Sequence, residues 1–238
     1  MALILNLETS SQVCSVALGT DDRCLACLEG KEIMAHASLL GPLIKDILDQ
    51  NHLGPGQLDA VAVSKGPGSY TGLRIGVSTA KGMVYATNGK LIAINTMDAL
   101  ASGVIHSSAF TVLNKTTRID LLCPMLDARR MEVYSAIYTP DNKVFKNVSA
   151  EIITPGSYAS LLNTHNMLFF GNGSSKCRDI IRHPNAFFLD NIETSARFMI
   201  PLAATSYRSG IFEDVAYFEP FYLKDFIPTT PKNKIIPG

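Results

Sequence analysis

The sequence predicts an α/β protein made of two units of similar order, each a mixed sheet with flanking helices. Two observations support this fold class. Each half of the chain begins with three short strand-like runs separated by turns, which is typical of an antiparallel meander. Strand-like and helical runs then alternate, and parallel strands of one sheet require such covering crossovers. The 238 residues are enough for one domain or two small ones.

The first half begins with strand-like runs at residues 3–7, 13–18 and 23–28. Residues 37–50 place leucine and isoleucine at helical spacing, so they predict an amphipathic helix. The runs that follow predict a buried strand, a helix, a strand and a capped helix, at residues 58–66, 71–87, 90–95 and 96–104.

The second half repeats this plan without obvious sequence identity to the first, which suggests a duplicated unit. A second meander at 119–153 precedes a helix, a strand and two helical stretches, at 155–163, 167–171, 174–182 and 195–209. We therefore expect an N-terminal lobe at 1–105, completed by a C-terminal helix at about 195–225, and a C-terminal lobe at 106–194. Residues 226–238 are proline-rich and polar, and they predict an extended tail.

Composition limits the partners and the location that we expect. The 21 basic residues equal the 21 acidic ones, so no overall positive field favours tight, independent nucleic-acid binding. No apolar run reaches the roughly 20 residues of a membrane helix, so no membrane partner is expected. The start lacks a signal peptide's basic flank, and the five cysteines are an odd number. A cytoplasmic protein is expected.

The stretch "SKGPGSYTGLRIGVSTAKGM" joins a glycine-rich turn to a helix but matches neither known phosphate loop. Its glycines are one residue too far apart for a P-loop, and they read G-x-G-x-x-x-G where the dinucleotide fingerprint needs G-x-G-x-x-G. Amides at a helix start can still bind an anion, and the candidate residues are Gly68, Ser69 and Thr71.

The helix after this turn carries a stripe of small residues, Gly72, Gly76 and Ala80, followed by Val84. Glycine inside a helix costs about 1 kcal/mol relative to alanine, so the stripe needs a reason such as close approach of another element. That element is either the protein's own sheet or a helix of a partner, and the sequence favours the partner as the sharper hypothesis.

Other candidate chemistry is sparse. His36 is followed one turn later by Leu40, so no two-histidine face exists and no metal site is expected. The carboxylates nearest to strand ends are Glu8, Asp98 and Asp127, but their spacing alone assigns no acid–base role. The adjacent Arg129 and Arg130 are candidate anion-binding residues at a strand–strand turn, and a solvated hairpin is the alternative.

Four stretches together resemble one family: "ILNLETSSQVCSVAL", "VSKGPGSYTGLRIGVSTAKGM", "INTMDALA" and "LDARRMEVYSAIY". They are similar to the bacterial tRNA threonylcarbamoyladenosine biosynthesis proteins of the TsaB family. The resemblance implies the actin-like ATPase fold, with two ribonuclease-H-like lobes. It also implies that Glu8 in "LETS" stands where active members of the fold usually carry aspartate, and that Leu40 replaces a metal-binding histidine of the catalytic relative, TsaD.

For function, the resemblance implies a non-catalytic scaffold and activator that pairs with TsaD, the subunit that transfers threonylcarbamoyl to the adenosine beside the tRNA anticodon. TsaE is a further partner, tRNA is contacted only through the complex, and a homodimer is expected when TsaD is absent. No cofactor is expected in the isolated subunit, whereas the junction with TsaD is a candidate nucleotide site. The alternative is an enzyme of the actin-like fold that binds ATP by itself. The resemblance places the partner interface on two helices, at Leu39, Leu43, Ile47, Gly72, Arg74, Gly76, Ala80, Lys81 and Val84.

Overall fold

The computed structural model describes residues 1–21, 23–30 and 36–224. Within these ranges, ten strands form two five-stranded sheets. The strands of the first sheet are β1 (Leu3–Glu8), β2 (Cys14–Thr20), β3 (Arg23–Gly30), β4 (Ala60–Gly66) and β5 (Lys90–Asn95). Those of the second sheet are β6 (Leu121–Asp127), β7 (Glu132–Tyr138), β8 (Val144–Ile152), β9 (Met167–Phe170) and β10 (Ala186–Leu189). The α-helices are α1 (His36–Gln50), α2 (Tyr70–Thr87), α3 (Thr96–Ile105), α4 (Ser108–Thr116), α5 (Ala159–Leu162) and α6 (Ile200–Arg208).

Both sheets have the same topology, β3-β2-β1-β4-β5 in the first and β8-β7-β6-β9-β10 in the second. In each, an antiparallel meander continues into strands that pair in parallel. The α/β class and the duplicated mixed sheet predicted from the sequence are therefore confirmed.

Helices cover both faces of the first sheet, which explains why β1 is buried almost throughout. Leu5 and Leu7 point to the side of α1 and α2, where Ile47 and Val84 join the same apolar cluster. Ile4 lies on the opposite side, in a cluster with Met199 and other residues of the C-terminal helical segment. Successive residues of a strand face opposite sides of the sheet, so a strand covered on both sides needs apolar residues at odd and at even positions.

The C-terminal helix differs from the prediction of about 195–225. A short 3-10 helix at Ala196–Met199 leads into α6, which packs on the first sheet and ends at Arg208. Gly210 then adopts a left-handed φ of 68°, and the Glu213 amide donates to the Leu91 carbonyl at 2.9 Å. The prediction is wrong beyond Arg208 because the chain turns and pairs with β5.

Other predictions have mixed outcomes. The helix predicted at 174–182 is a 3-10 turn at Ser175–Cys177, and α4 and β10 were not predicted. The lobe boundaries at 105 and 194 stay predictions, and the predicted tail at 226–238 lies outside the described residues. Among the helices that the structure describes, none combines the length and apolar character required to cross a bilayer.

Candidate functional site

The turn after β1 is closed around a buried glutamate. The Glu8 side chain has no exposed surface, and its Oε1 accepts hydrogen bonds from the Ser10 amide at 2.6 Å and from Ser64 Oγ at 2.9 Å. Burial raises the pKa of the Glu8 carboxyl, and the bonds from Ser10 and Ser64 lower it by less. The Ser10 amide and the Ser64 hydroxyl therefore donate to a carboxyl of the protein itself.

The glycine-rich turn before α2 packs directly against the turn that follows β1. The Ser69 amide donates to the Ser10 carbonyl at 2.7 Å, and Ser69 Oγ accepts from the Gly72 amide at 3.3 Å as the N-cap of α2. A Cβ on Gly68 would lie 2.3 Å from the Ser10 carbonyl oxygen. Thr71 is exposed. Anion binding at Gly68, Ser69 and Thr71 stays a prediction, although the protein's own turn lies in contact with two of these residues.

The small-residue stripe of α2 faces the interior of its own lobe. Gly72 and Gly76 are buried, and Ala80 has no exposed surface. A Cβ on Gly72 would lie 2.1 Å from the Thr9 carbonyl oxygen, and a Cβ on Gly76 would lie 2.3 Å from Thr9 Oγ1. The sequence hypothesis that these residues approach a partner helix is therefore wrong. They allow the turn after β1 to approach α2, and Thr9 Oγ1 donates to the Gly72 carbonyl at 2.8 Å.

Two larger apolar residues of the predicted interface, Ile47 and Val84, also belong to the core. Ile47 has no exposed surface and Val84 is 2% exposed, and both pack in the cluster beneath α1 and α2. Leu39 and Leu43 are half-buried on the edge of the same cluster. Ile47 and Val84 are thus corrected to core positions, whereas an interface at Leu39 and Leu43 stays a prediction.

An open apolar groove lies between the outer faces of α1 and α2. It has a volume of about 590 Å³. None of the residues predicted for the partner interface lines this groove, because that prediction followed the small-residue stripe, which packs against the turn after β1. The missed signal is the second set of small or polar residues at helical spacing. The groove residues on α2 are Ser78, Thr79, Gly82, Met83, Ala86 and Thr87, and those on and after α1 include Gly41, Ile44, Lys45, Leu48, Asp49 and Leu53.

Arg74 and Lys81 hold the C-terminal segment against α2. The Arg74 guanidinium lies 4.3 Å from the centre of the Tyr70 ring, and its Nε donates to Tyr222 Oη at 3.1 Å. Lys81 Nζ donates to the carbonyls of Ala216 and Phe218 at 3.2 and 3.0 Å. A role for Arg74 and Lys81 at the rim of an interface stays a prediction, and the structure gives each of them an internal contact.

Arg129 and Arg130 lie at the tip of the β6–β7 hairpin and are exposed, with left-handed φ values of 69° and 48°. Lys176 Nζ crosses the base of the hairpin, where it contacts Asp127 Oδ1 at 2.5 Å and the carbonyls of Arg130 and Glu132 at 2.7 Å each. Among the described residues, no acidic side chain forms an ion pair with either arginine. Anion binding by this pair stays a prediction.

The three candidate carboxylates are separate and each has a partner. Glu8 is held in its turn, and Asp127 pairs with Lys176. Asp98 Oδ1 accepts from Tyr138 Oη at 2.5 Å and so joins α3 to the second sheet. Across the described ranges, no three His, Cys, Asp or Glu side chains lie close enough to share a metal ion.

The buried carboxyl predicts a pH dependence of stability. Because the pKa of Glu8 is raised above 4.5, the folded protein retains a proton that the unfolded chain loses as the pH rises above that value. The free energy of unfolding therefore falls with rising pH until the folded-state pKa is passed. We expect Glu8→Gln to remove this loss, as measured by urea unfolding between pH 4.5 and 8.

The matched control is Asp179→Asn, which alters a carboxylate that is 91% exposed. This variant should keep the pH slope of the unmodified protein. Equal slopes for Glu8→Gln and the unmodified protein would show that Glu8 does not cause the dependence.

Comparison with known proteins gives consistent results. The family model "TsaD: tRNA N6-adenosine threonylcarbamoyltransferase" matches residues 32–226. The chain is 27% identical over 230 residues to the tRNA threonylcarbamoyladenosine biosynthesis protein TsaB of Escherichia coli (strain K12), covering 93% of this chain and 94% of that protein. It is 26% identical over 233 residues to TsaB of Haemophilus influenzae (strain ATCC 51907 / DSM 11121 / KW20 / Rd), covering 93% of each.

A solved structure from Pseudomonas aeruginosa, described as an uncharacterized protein with similarity to peptidase YEAZ, superposes with a TM-score of 0.76 at 24% identity. The match covers 94% of this chain and 100% of that one. This likeness shows the fold.

Proposed function

We propose that this chain, a member of the TsaD family and within it of the TsaB proteins, is a non-catalytic scaffold. Its family places it in the biosynthesis of threonylcarbamoyladenosine in tRNA. In this role it pairs with the transferase TsaD through the outer faces of α1 and α2. TsaE joins the assembly as a further partner, and a second copy of the chain occupies the same face when TsaD is absent.

The observation that carries the proposal is the groove between α1 and α2. Its floor is apolar, with Ile44, Leu48 and Met83 among the lining residues. The ion pair between Lys45 Nζ and Asp49 Oδ2, at 2.5 Å, lies on its α1 side. An apolar centre with a charged rim is the usual anatomy of a protein–protein interface, and a helix in a groove is a common way to fill it.

The position of Gly82 supports docking of a helix at this groove. Gly82 is exposed and lines the groove, and no atom lies within 4 Å of the place where its Cβ would be. Glycine in the interior of an exposed helix is unfavourable by about 1 kcal/mol relative to alanine. Because the lobe itself does not need a glycine here, close approach of a partner supplies the reason.

The closed turn around Glu8 supports a role without nucleotide chemistry in the isolated chain. A phosphate at the start of α2 would need the amides and the space that Glu8 and Ser10 now use. A buried carboxyl also repels an anion once it is ionised. A nucleotide site at the junction with TsaD is compatible with this, because its donors would come from both subunits.

The experiment that tests the proposal is a native mass measurement of the chain alone, with TsaD, and with TsaD and TsaE. We expect a one-to-one species with TsaD, a larger species on addition of TsaE, and a homodimer for the chain alone. Persistence of unmixed species at micromolar concentration of each protein would contradict the proposal.

The alternative is an enzyme that binds ATP and acts alone. Calorimetric titration of the isolated chain with ATP and magnesium distinguishes this alternative from the scaffold. The scaffold proposal predicts no measurable heat of binding. Saturable binding with a dissociation constant below about 100 μM would favour the alternative, since that is a common range for substrate affinity.

A further inference from the structure

A line of aromatic and basic side chains crosses from the start of α2 to the tip of the β6–β7 hairpin. We name it the aromatic–basic seam, and its residues are Tyr70, Arg74, Tyr222, Lys224, Arg129 and Arg130. Its first part is a stack on the first lobe. The rings of Tyr70 and Tyr222 lie 4.6 Å apart, and Arg74 is placed against both.

The C-terminal segment continues the seam to the second lobe. The Phe221 amide donates to the Lys65 carbonyl at 2.7 Å, which fixes the segment at the end of β4. Three residues later, Lys224 Nζ pairs with Glu132 Oε1 at the start of β7. The segment therefore joins the tyrosine stack to the hairpin that carries Arg129 and Arg130.

Two acidic groups at the base of the hairpin pair with lysine. Lys176 pairs with Asp127, and Lys224 pairs with Glu132. Lys176 also donates to the carbonyls of Arg130 and Glu132, whose oxygens would otherwise repel an anion. Arg129 and Arg130 remain exposed, and no described acid pairs with them. The hairpin therefore presents two exposed positive charges.

We infer that the seam contacts a single-stranded segment of RNA, with Arg129 and Arg130 on backbone phosphates and the Tyr70–Tyr222 stack beside an unpaired base. A cluster of aromatic rings followed by exposed arginines suits such a segment, since guanidinium groups bind phosphate and bases stack on aromatic rings. The inference rests on the proposed function, because that function identifies the RNA as the tRNA bound by the assembly with TsaD. It also explains how a chain with equal numbers of acidic and basic residues can contact RNA locally.

The test is tRNA binding by the assembly of this chain with TsaD, measured over a range of salt concentrations. Arg129→Asn with Arg130→Asn removes both charges, and asparagine tolerates the left-handed backbone of the hairpin. We expect affinity to fall about tenfold and the slope of log affinity against log salt to decrease by between about 1 and 2. Arg129→Lys with Arg130→Lys should keep the slope of the unmodified chain.

The matched control is Lys115→Asn with Arg118→Asn, which removes the same charge from the same lobe. Both residues precede β6, whereas the hairpin follows it, so the two pairs lie at opposite ends of this seven-residue strand. The control should leave affinity and slope unchanged. Unchanged affinity and slope for the double asparagine variant of the hairpin would overturn the inference.

Failure of the inference is distinguishable from failure of the proposed function. Native mass reports whether the variants still associate with TsaD, and the seam variants should do so. If the unmodified chain forms no complex with TsaD, the same variants are compared for tRNA binding by the chain alone over a series of salt concentrations that starts at about 50 mM, where phosphate contacts are strong. A salt slope that is equal for the unmodified chain and the double asparagine variant would overturn the inference there too.

Discussion

Replacing Gly72 with alanine is expected to destabilise the protein by about 2–3 kcal/mol, although alanine is the better helix former. The added Cβ would lie 2.1 Å from the carbonyl oxygen of Thr9 and 3.3 Å from Ser69 Cβ. The nearest atom belongs to the backbone of a buried turn, so it cannot move without disturbing the bonds of Ser10 and Ser64 to Glu8. Urea unfolding of the isolated chain measures the loss.

Gly82→Ala is the matched control in the same helix. No atom lies within 4 Å of the added Cβ, so we expect a gain of about 0.5–1 kcal/mol from the lower conformational entropy of the unfolded chain. Opposite signs for the two variants would establish that the small-residue stripe packs inward. A Gly72→Ala protein as stable as the Gly82→Ala protein would contradict the packing of α2 described above.

Replacing Gly82 with arginine is expected to weaken association with TsaD by about 100-fold while the chain stays folded. The arginine begins where open space exists and extends into the groove between α1 and α2. A charged side chain buried at the centre of an interface without a partner carries a large desolvation cost. Titration of labelled TsaD with each form of the chain measures the change in dissociation constant.

Val112→Arg is the control for an added arginine on an exposed helix. Val112 is 66% exposed and lies on α4, outside the groove. It should leave the affinity for TsaD unchanged. If Gly82→Arg also has no effect, the groove is not the docking site. Gly76→Arg cannot serve as this test, because a Cβ there would lie 2.3 Å from Thr9 Oγ1 and the variant would disturb the fold.

The sequence predicted the fold better than it predicted the site. Strong alternation and helical periodicity mark the long elements, and the two meanders reveal the repeated sheet. The missed elements have weak signals: α4 buries only Phe110 among its residues, and β10 has four half-buried residues. The end of α6 depends on the pairing of Glu213 with Leu91, a contact between residues far apart in the chain.

The small-residue stripe shows why the site was harder to predict. Gly72, Gly76 and Ala80 indicate close approach of another element, but their spacing is the same whether that element is a partner or the turn after β1. The element that the stripe contacts depends on the orientation of α2 about its own axis, which is set by tertiary packing and not by the local sequence. Gly82 is exposed and repeats at the same four-residue spacing with Ser78 and Ala86, so the sequence pattern alone did not distinguish the buried stripe from this exposed one.

Hydrogen exchange of the chain with and without TsaD is the most direct test of docking through α1 and α2. We expect slower exchange on adding TsaD in peptides from His36–Gln50 and Tyr70–Thr87, with little change in β8 at the far edge of the second sheet. Slower exchange confined to the second lobe, with α1 and α2 unaffected in a complex shown to be formed, would contradict docking through these helices.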